Sequence, residues 1–150
     1  MTMESNMLSI GKRCPMRQEY EIKVNDDGVI QSLDSQHWSE CGSSPNEPHS
    51  GIIAHYLQNS CYLIDNWNIR GYEVITGTPS NTFCRASGFT EGLAMIENMM
   101  EHIAIVANKD PIAVRLANMN DNDKSVLDNI IQNICYSEVV KPTILSFPSK

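Results

Sequence analysis

The sequence has no cysteine pair in a CxxC spacing, no long apolar run and no excess of basic residues, and each absence closes off a class of protein. Its five cysteines, Cys14, Cys41, Cys61, Cys84 and Cys135, are odd in number and widely scattered. That pattern excludes a clustered iron–sulfur site and argues against a disulfide framework, so reduced thiols acting mostly as small apolar fillers are expected. No stretch approaches the roughly 18 apolar residues of a membrane span, and the opening MTMESNMLSIGKR lacks the basic-then-apolar order of a signal peptide. Eleven Lys and Arg against eighteen Asp and Glu leave a formal net charge of −7. The basic residues are dispersed, which argues against a nucleic-acid partner. No GxGxxG follows a predicted strand, so nothing suggests a dinucleotide fold. A cytoplasmic protein without nucleic-acid or membrane partners is the expectation.

What is present is one domain's worth of chain, 150 residues, with no internal repeat. Residues 19–23 alternate as a strand, Asn25-Asp26-Asp27-Gly28 is a hairpin turn, and residues 29–35 return with Ile30 and Leu33. Residues 41–50 form a Gly/Ser/Pro/Asn loop ahead of a short helix at 51–58, and 67–76 is a further strand ended by Gly77-Thr78-Pro79. From Phe89 to about Asn108, Phe89, Leu93, Ile96, Met99, Met100, Ile103 and Ala107 recur at helical spacing and define an apolar face. Asp110-Pro111 caps and starts a second helix through about Asn118, and a third spans 124–134. The fold class is α+β: a hairpin and a further strand packed with one long and two shorter helices.

Several tempting clusters have plain readings. Glu97, Glu101 and His102 lie close along the long helix, where such carboxylates are ordinarily solvated. His37, His49 and His55 share no metal-ligand spacing, and Met95, Met99 and Met100 read as packing. No metal ligand is assigned.

The stretch PSNTFCRASGFTEG at 79–92 carries more, because a turn-rich loop with one arginine runs straight into an amphipathic helix. The first N–H groups of a helix lack internal partners and sit at its positive end, so they suit an anionic or electron-rich group, and Arg85 adds a forked cation. The same residues also suit a simple strand-to-helix connection.

Read onward as PSNTFCRASGFTEGLAMIENMMEHIA and then DPIAVRLANM at 110–119, the segment resembles the molybdopterin-binding region of the xanthine dehydrogenase/aldehyde oxidase family of molybdenum hydroxylases, most closely that of insect aldehyde oxidases. MLSIGKRCP at 7–15, CGSSPNEP at 41–48 and NSCYLIDNWNIRGYEV at 59–74 fall in the family's order and approximate spacing, so the likeness covers about residues 7–135. The resemblance implies a partial molybdopterin-binding domain over residues 1–136 followed by a divergent tail at 137–150. It implies a molybdenum–molybdopterin cofactor, with 2Fe-2S clusters and FAD carried elsewhere in full-length members, which are homodimers oxidising aldehydes or N-heterocycles.

By position, the resemblance places Arg85 in the cofactor-contacting loop with Phe83, Cys84 and Ala86 beside it. It places Ser87 where xanthine dehydrogenases carry a purine-stacking aromatic residue, and Ile53 near where they carry a purine-gripping arginine. Both departures favour an aldehyde-type pocket. The family's glutamate base has no matching position here, so no catalytic residue is assigned and the chain by itself is expected to be inactive, to hold little molybdenum and to leave the apolar face of its long helix exposed. The other reading, a truncated non-catalytic remnant serving as a small binding or interaction module, stays open on the sequence.

Overall fold

The computed structural model describes residues 2–9, 11–83 and 85–134. Cys84 and the tail expected at 137–150 lie outside the described residues. In chain order the elements are α1 Met3–Ser9, β1 Met16–Val24, β2 Ile30–Gly42, α2 His49–Gln58, β3 Trp67–Ile75, α3 Phe89–Ala107, α4 Pro111–Asn118 and α5 Asp121–Asn133. The strands form one sheet in the order β1-β2-β3. β1 and β2 are antiparallel, whereas β2 and β3 are parallel, with α2 as the crossover that a parallel pair requires. The architecture is α+β.

The β1–β2 turn forms as its residues dictate. Asn25 Oδ1 accepts from the N–H groups of Asp27 and Val29, and Gly28 adopts a φ of 80°, which favours glycine. β2 runs well past the expected end at Ser35, as far as Gly42. Its buried face carries Leu33, then Ser35, His37, Ser39 and Cys41, so the apolar alternation that marks a half-buried strand stops at Leu33 while the strand itself continues.

The core lies between this sheet, α2 and α3. Met95, Ile96, Met99, Met100 and Ile103 of α3 pack with Ile53 and Leu57 of α2 and with Ile30 and Leu33 of β2. The α3 face expected to be exposed is therefore mostly covered: Ile96, Met99, Met100 and Ile103 of the expected stripe are inside, joined by Met95, read as packing, and by Ala104, while Phe89 stands half out. Gly92 lets α3 approach α2, since a Cβ there would lie 3.0 Å from Ile53 O and Leu57 N. Apolar residues left uncovered lie elsewhere: Ile105 and Val106 on the opposite face of α3, Val74 and Ile75 at the end of β3, and Val126 and Ile130 on α5, where no residue is buried. α4 starts as its sequence indicates, with the Asp110 carboxylate accepting from the N–H groups of Ile112 and Ala113 ahead of Pro111.

Polar groups pin the elements together. Asn118, buried at the end of α4, accepts from Ile30 N–H through Oδ1 at 2.8 Å and donates through Nδ2 to Gly28 O and Val114 O at 2.9 and 2.8 Å. Glu97 and Glu101 are held rather than merely solvated: Arg115 of α4 bridges both, at 2.9 and 2.8 Å, and Tyr62 donates to Glu97. His102 pairs with the Tyr20 hydroxyl. No described helix is long and apolar enough to cross a membrane.

His37, fully buried under α2, bonds the Ser50 carbonyl through Nε2. Burial pushes its pKa below the ordinary 6.5, against the opposing pull of that carbonyl. Below pH 6.5 the unfolded chain therefore binds a proton that the native ring resists, so stability falls as pH drops from 6.5 toward the depressed native value and is insensitive to this group above it. Urea midpoints should decline from about pH 7.5 to about pH 5.5, and less steeply in His37→Gln, which keeps a donor for Ser50 O. Identical slopes in the two proteins would contradict this.

Candidate cofactor loop

The segment from Pro79 to Gly88 leaves β3 and enters α3, and it is anchored at both ends. On the β3 side, buried Asn81 accepts from Lys12 N–H at 3.0 Å, donates through Nδ2 to Glu40 O at 2.9 Å, and gives its own N–H to Cys41 O at 2.8 Å. The Phe83 ring is buried edge-on against His49, with centroids 4.7 Å apart. On the α3 side, Arg13 donates to Arg85 O and to Glu91 Oε1, both at 2.6 Å, which ties the segment before β1 to the loop and to the first turn of α3.

Between these anchors the chain turns outward. Arg85, Ala86 and Ser87 are exposed, and Ala86 holds a φ of 53°, unusual for a residue with a Cβ. Gly88 follows at φ 68° as the N-cap of α3, with no side chain capping the helix. Its backbone lies on α2, where an added Cβ would sit 2.5 Å from Ile52 Cγ2 and 2.9 Å from Ile53 N. Among the described residues the Arg85 guanidinium makes no ion pair and no hydrogen bond, so its donors remain available. Buried Glu91 Oε2 is an acceptor without a partner.

These features suit an oxygen-rich cofactor. The loop offers an unpaired guanidinium and an uncapped helix start as donors. A groove of about 410 Å³ runs alongside, lined by Arg13, Met16, Gln18, Glu91 and Met95 among others. Arg85, Ala86 and Ser87 do not line it and stand on open surface.

Of the residues singled out on the sequence, Phe83, Arg85, Ala86 and Ser87 fall together on this loop. Ile53 does not join them as a contact residue: its side chain is 0% exposed within the core, and only its backbone meets the loop, at Gly88. Sequence reasoning missed Arg13, Asn81 and Gly88 as the groups that fix the loop. Gly88 alone had a signal, standing immediately before the helix pattern. Burial pushes the thiols of Cys14, Cys41 and Cys61 above their ordinary range, and all three are free.

An α+β domain that holds an arginine-bearing loop clear of its surface, ahead of a long helix, is a framework for cradling a bound group. Comparison with known proteins identifies it. The molybdopterin cofactor-binding domain family matches residues 1–119, and the chain belongs to that family. Human aldehyde oxidase is 32% identical over 115 residues, which is 76% of this chain and 9% of that enzyme. The xanthine dehydrogenase of Drosophila subobscura is 28% identical over 116 residues, 77% of this chain and 9% of the enzyme. Among solved structures, the aldehyde oxidoreductase of Desulfovibrio desulfuricans shares the fold at a TM-score of 0.70 and 20% identity, over 85% of this chain and 16% of that one. The chain thus spans about 9% of the length of the curated relatives it matches.

Proposed function

We propose that residues 1–136 form one wall of a molybdopterin site in an aldehyde-oxidising molybdenum hydroxylase, and that the exposed, unpaired Arg85 on a doubly anchored loop is its principal cofactor contact. The observation that carries this is the contrast within the loop. Asn81, Phe83 and Gly88 are fixed by packing and hydrogen bonds, whereas Arg85, Ala86 and Ser87 are presented to solvent with donors unspent. Phe83 and its neighbours would set the loop's height, Arg85 would bind the cofactor's oxygen atoms, and Ala86 would let the backbone approach. The cofactor, when bound, supplies the two-electron redox chemistry. Small Ser87 leaves room for an aldehyde substrate instead of stacking on a purine. Glu91 takes no catalytic part, because Arg13 holds its Oε1 and its Oε2 is buried away from the exposed turn.

The 150-residue chain by itself should be inactive and retain little molybdenum, since one open wall cannot enclose a pterin. A decisive test exchanges residues 11–119 into the matching segment of human aldehyde oxidase, produced in a host that makes the cofactor. The exchanged enzyme should carry molybdenum, and Arg85→Ala should lower the metal-to-protein ratio by roughly tenfold without changing its melting behaviour. An exchange that carries none, or an Arg85→Ala protein that carries as much as its parent, would contradict the reading.

A further inference from the structure

We propose that Cys41, His49 and Glu73 form a second site, for a zinc-class divalent cation, directly behind the cofactor loop. One potential ligand atom from each lies within 4.8 Å of the other two. Cys41 and His49 are 0% exposed, while Glu73 stands at the surface and leaves an entry path.

Three separate elements converge to make this arrangement. The β2–β3 pairing shifts between Glu40 and Gly42, which makes Cys41 the extra residue of a bulge, a device that re-aims a side chain. His49 begins α2, and its ring is set by edge-on contact with Phe83. Both of its nitrogens are buried and neither has a hydrogen-bond partner. A buried imidazole ordinarily bonds through at least one nitrogen, and a cation is the ligand that a Cys–His–carboxylate set satisfies.

Nearby charge has the right sign. Glu73 has no ion-pair partner among the described residues, and the other carboxylates around the site, Glu40 and Glu47, are bonded to Thr76, Thr78 and Thr82 rather than to cations. Zinc bonds of about 2.0–2.3 Å in a tetrahedron place ligand atoms about 3.3–3.7 Å apart. Closing from within 4.8 Å asks for roughly an ångström of movement, which the exposed Glu73 side chain can make. The thiol proton of Cys41 leaves to solvent on binding, and water completes the fourth position. Because Phe83 packs on His49 and Asn81 N–H bonds Cys41 O, such a cation would brace the base of the Arg85 loop.

The test is titration of the reduced full chain with Co²⁺ and then Zn²⁺. One equivalent of Co²⁺ should produce a thiolate-to-cobalt charge-transfer band, displaced by Zn²⁺, and Zn²⁺ should raise the melting temperature. Cys41→Ser should abolish the band, whereas Cys14→Ser and Cys61→Ser should leave it. Glu73→Gln changes only an exposed side chain, so it should fold normally and weaken Zn²⁺ binding about tenfold or more. Absence of the band, a band undiminished in Cys41→Ser, or Zn²⁺ affinity unchanged in Glu73→Gln would overturn the proposal.

Discussion

Replacing Gly88 with valine should destabilise the protein by about 2–5 kcal/mol, because two separate penalties fall on one residue. Its φ of 68° lies in the left-handed region, where a side chain costs about 1–2 kcal/mol. A Cβ would also meet Ile52 Cγ2 at 2.5 Å and the backbone of Ile52 and Ile53 at 2.9 Å, and backbone at the start of α2 cannot yield as a flexible side chain does. Forcing atoms into such a contact costs about a further 1–3 kcal/mol. At its upper end the total rivals the entire stability of a marginal domain, about 5 kcal/mol. Gly51, also in the first turns of α2, has nothing within 4 Å of the place a Cβ would occupy. Gly51→Ala should therefore leave the urea midpoint unchanged or raise it by an amount equivalent to about 0.5–1 kcal/mol. Equal stability in Gly88→Val and the parent would mean that the loop does not rest on α2.

The second large effect is expected at Asn118. Asn118→Leu removes three hydrogen bonds at once and leaves Ile30 N–H and the carbonyls of Gly28 and Val114 without that partner in a buried place. An unmet buried group costs about 1–3 kcal/mol, so a loss of roughly 3–5 kcal/mol is anticipated, measured as a fall in the denaturation midpoint. Asn118→Asp separates packing from bonding. It keeps nearly the same shape and still accepts from Ile30 N–H, yet it turns a carboxylate oxygen toward Gly28 O and Val114 O. Its loss should match or exceed that of Asn118→Leu, since buried charge facing carbonyl oxygens is worse than an apolar group. A fall equivalent to less than about 0.5 kcal/mol in either variant would show that the turn, β2 and α4 are not joined through this residue.

Asn118 stands where local sequence logic gives little warning, whereas Gly88 stands just before the α3 helix pattern. Turn chemistry announces itself: Asn25 and Gly28 define the hairpin, and Asp110-Pro111 defines the start of α4. The apolar period of α3 also reads correctly as a helix, but which arc of it is buried depends on where α2 lies. β2 reads too short because Ser35, His37 and Ser39 occupy its inner face, and no apolar alternation survives among them. α1 is absent from the sequence reading, although Thr2 Oγ1 accepting from Ser5 N–H is a recognisable cap.

The loop's standing as a site comes from resemblance more than from physics, since an arginine among turn residues is common. Resemblance gives the family correctly, and the structure has Arg85, Ala86 and Ser87 together on one exposed turn. It does not reveal that Ile53 faces the core, because that depends on how α2 seats on α3. The Cys41, His49 and Glu73 cluster is invisible for a different reason. Its members come from a bulge, a helix start and an edge strand, and no spacing along the chain records their meeting.

On the function proposed above, the exposed turn carrying Arg85 is a wall against which molybdopterin lies. A crystal structure of the exchanged aldehyde oxidase with its cofactor bound tests this most directly. The Arg85 guanidinium should lie within hydrogen-bond reach, about 3 Å, of a cofactor oxygen, with Phe83 still buried beneath it. An Arg85 pointing into solvent or paired with a carboxylate, with the cofactor held wholly by other segments, would contradict it.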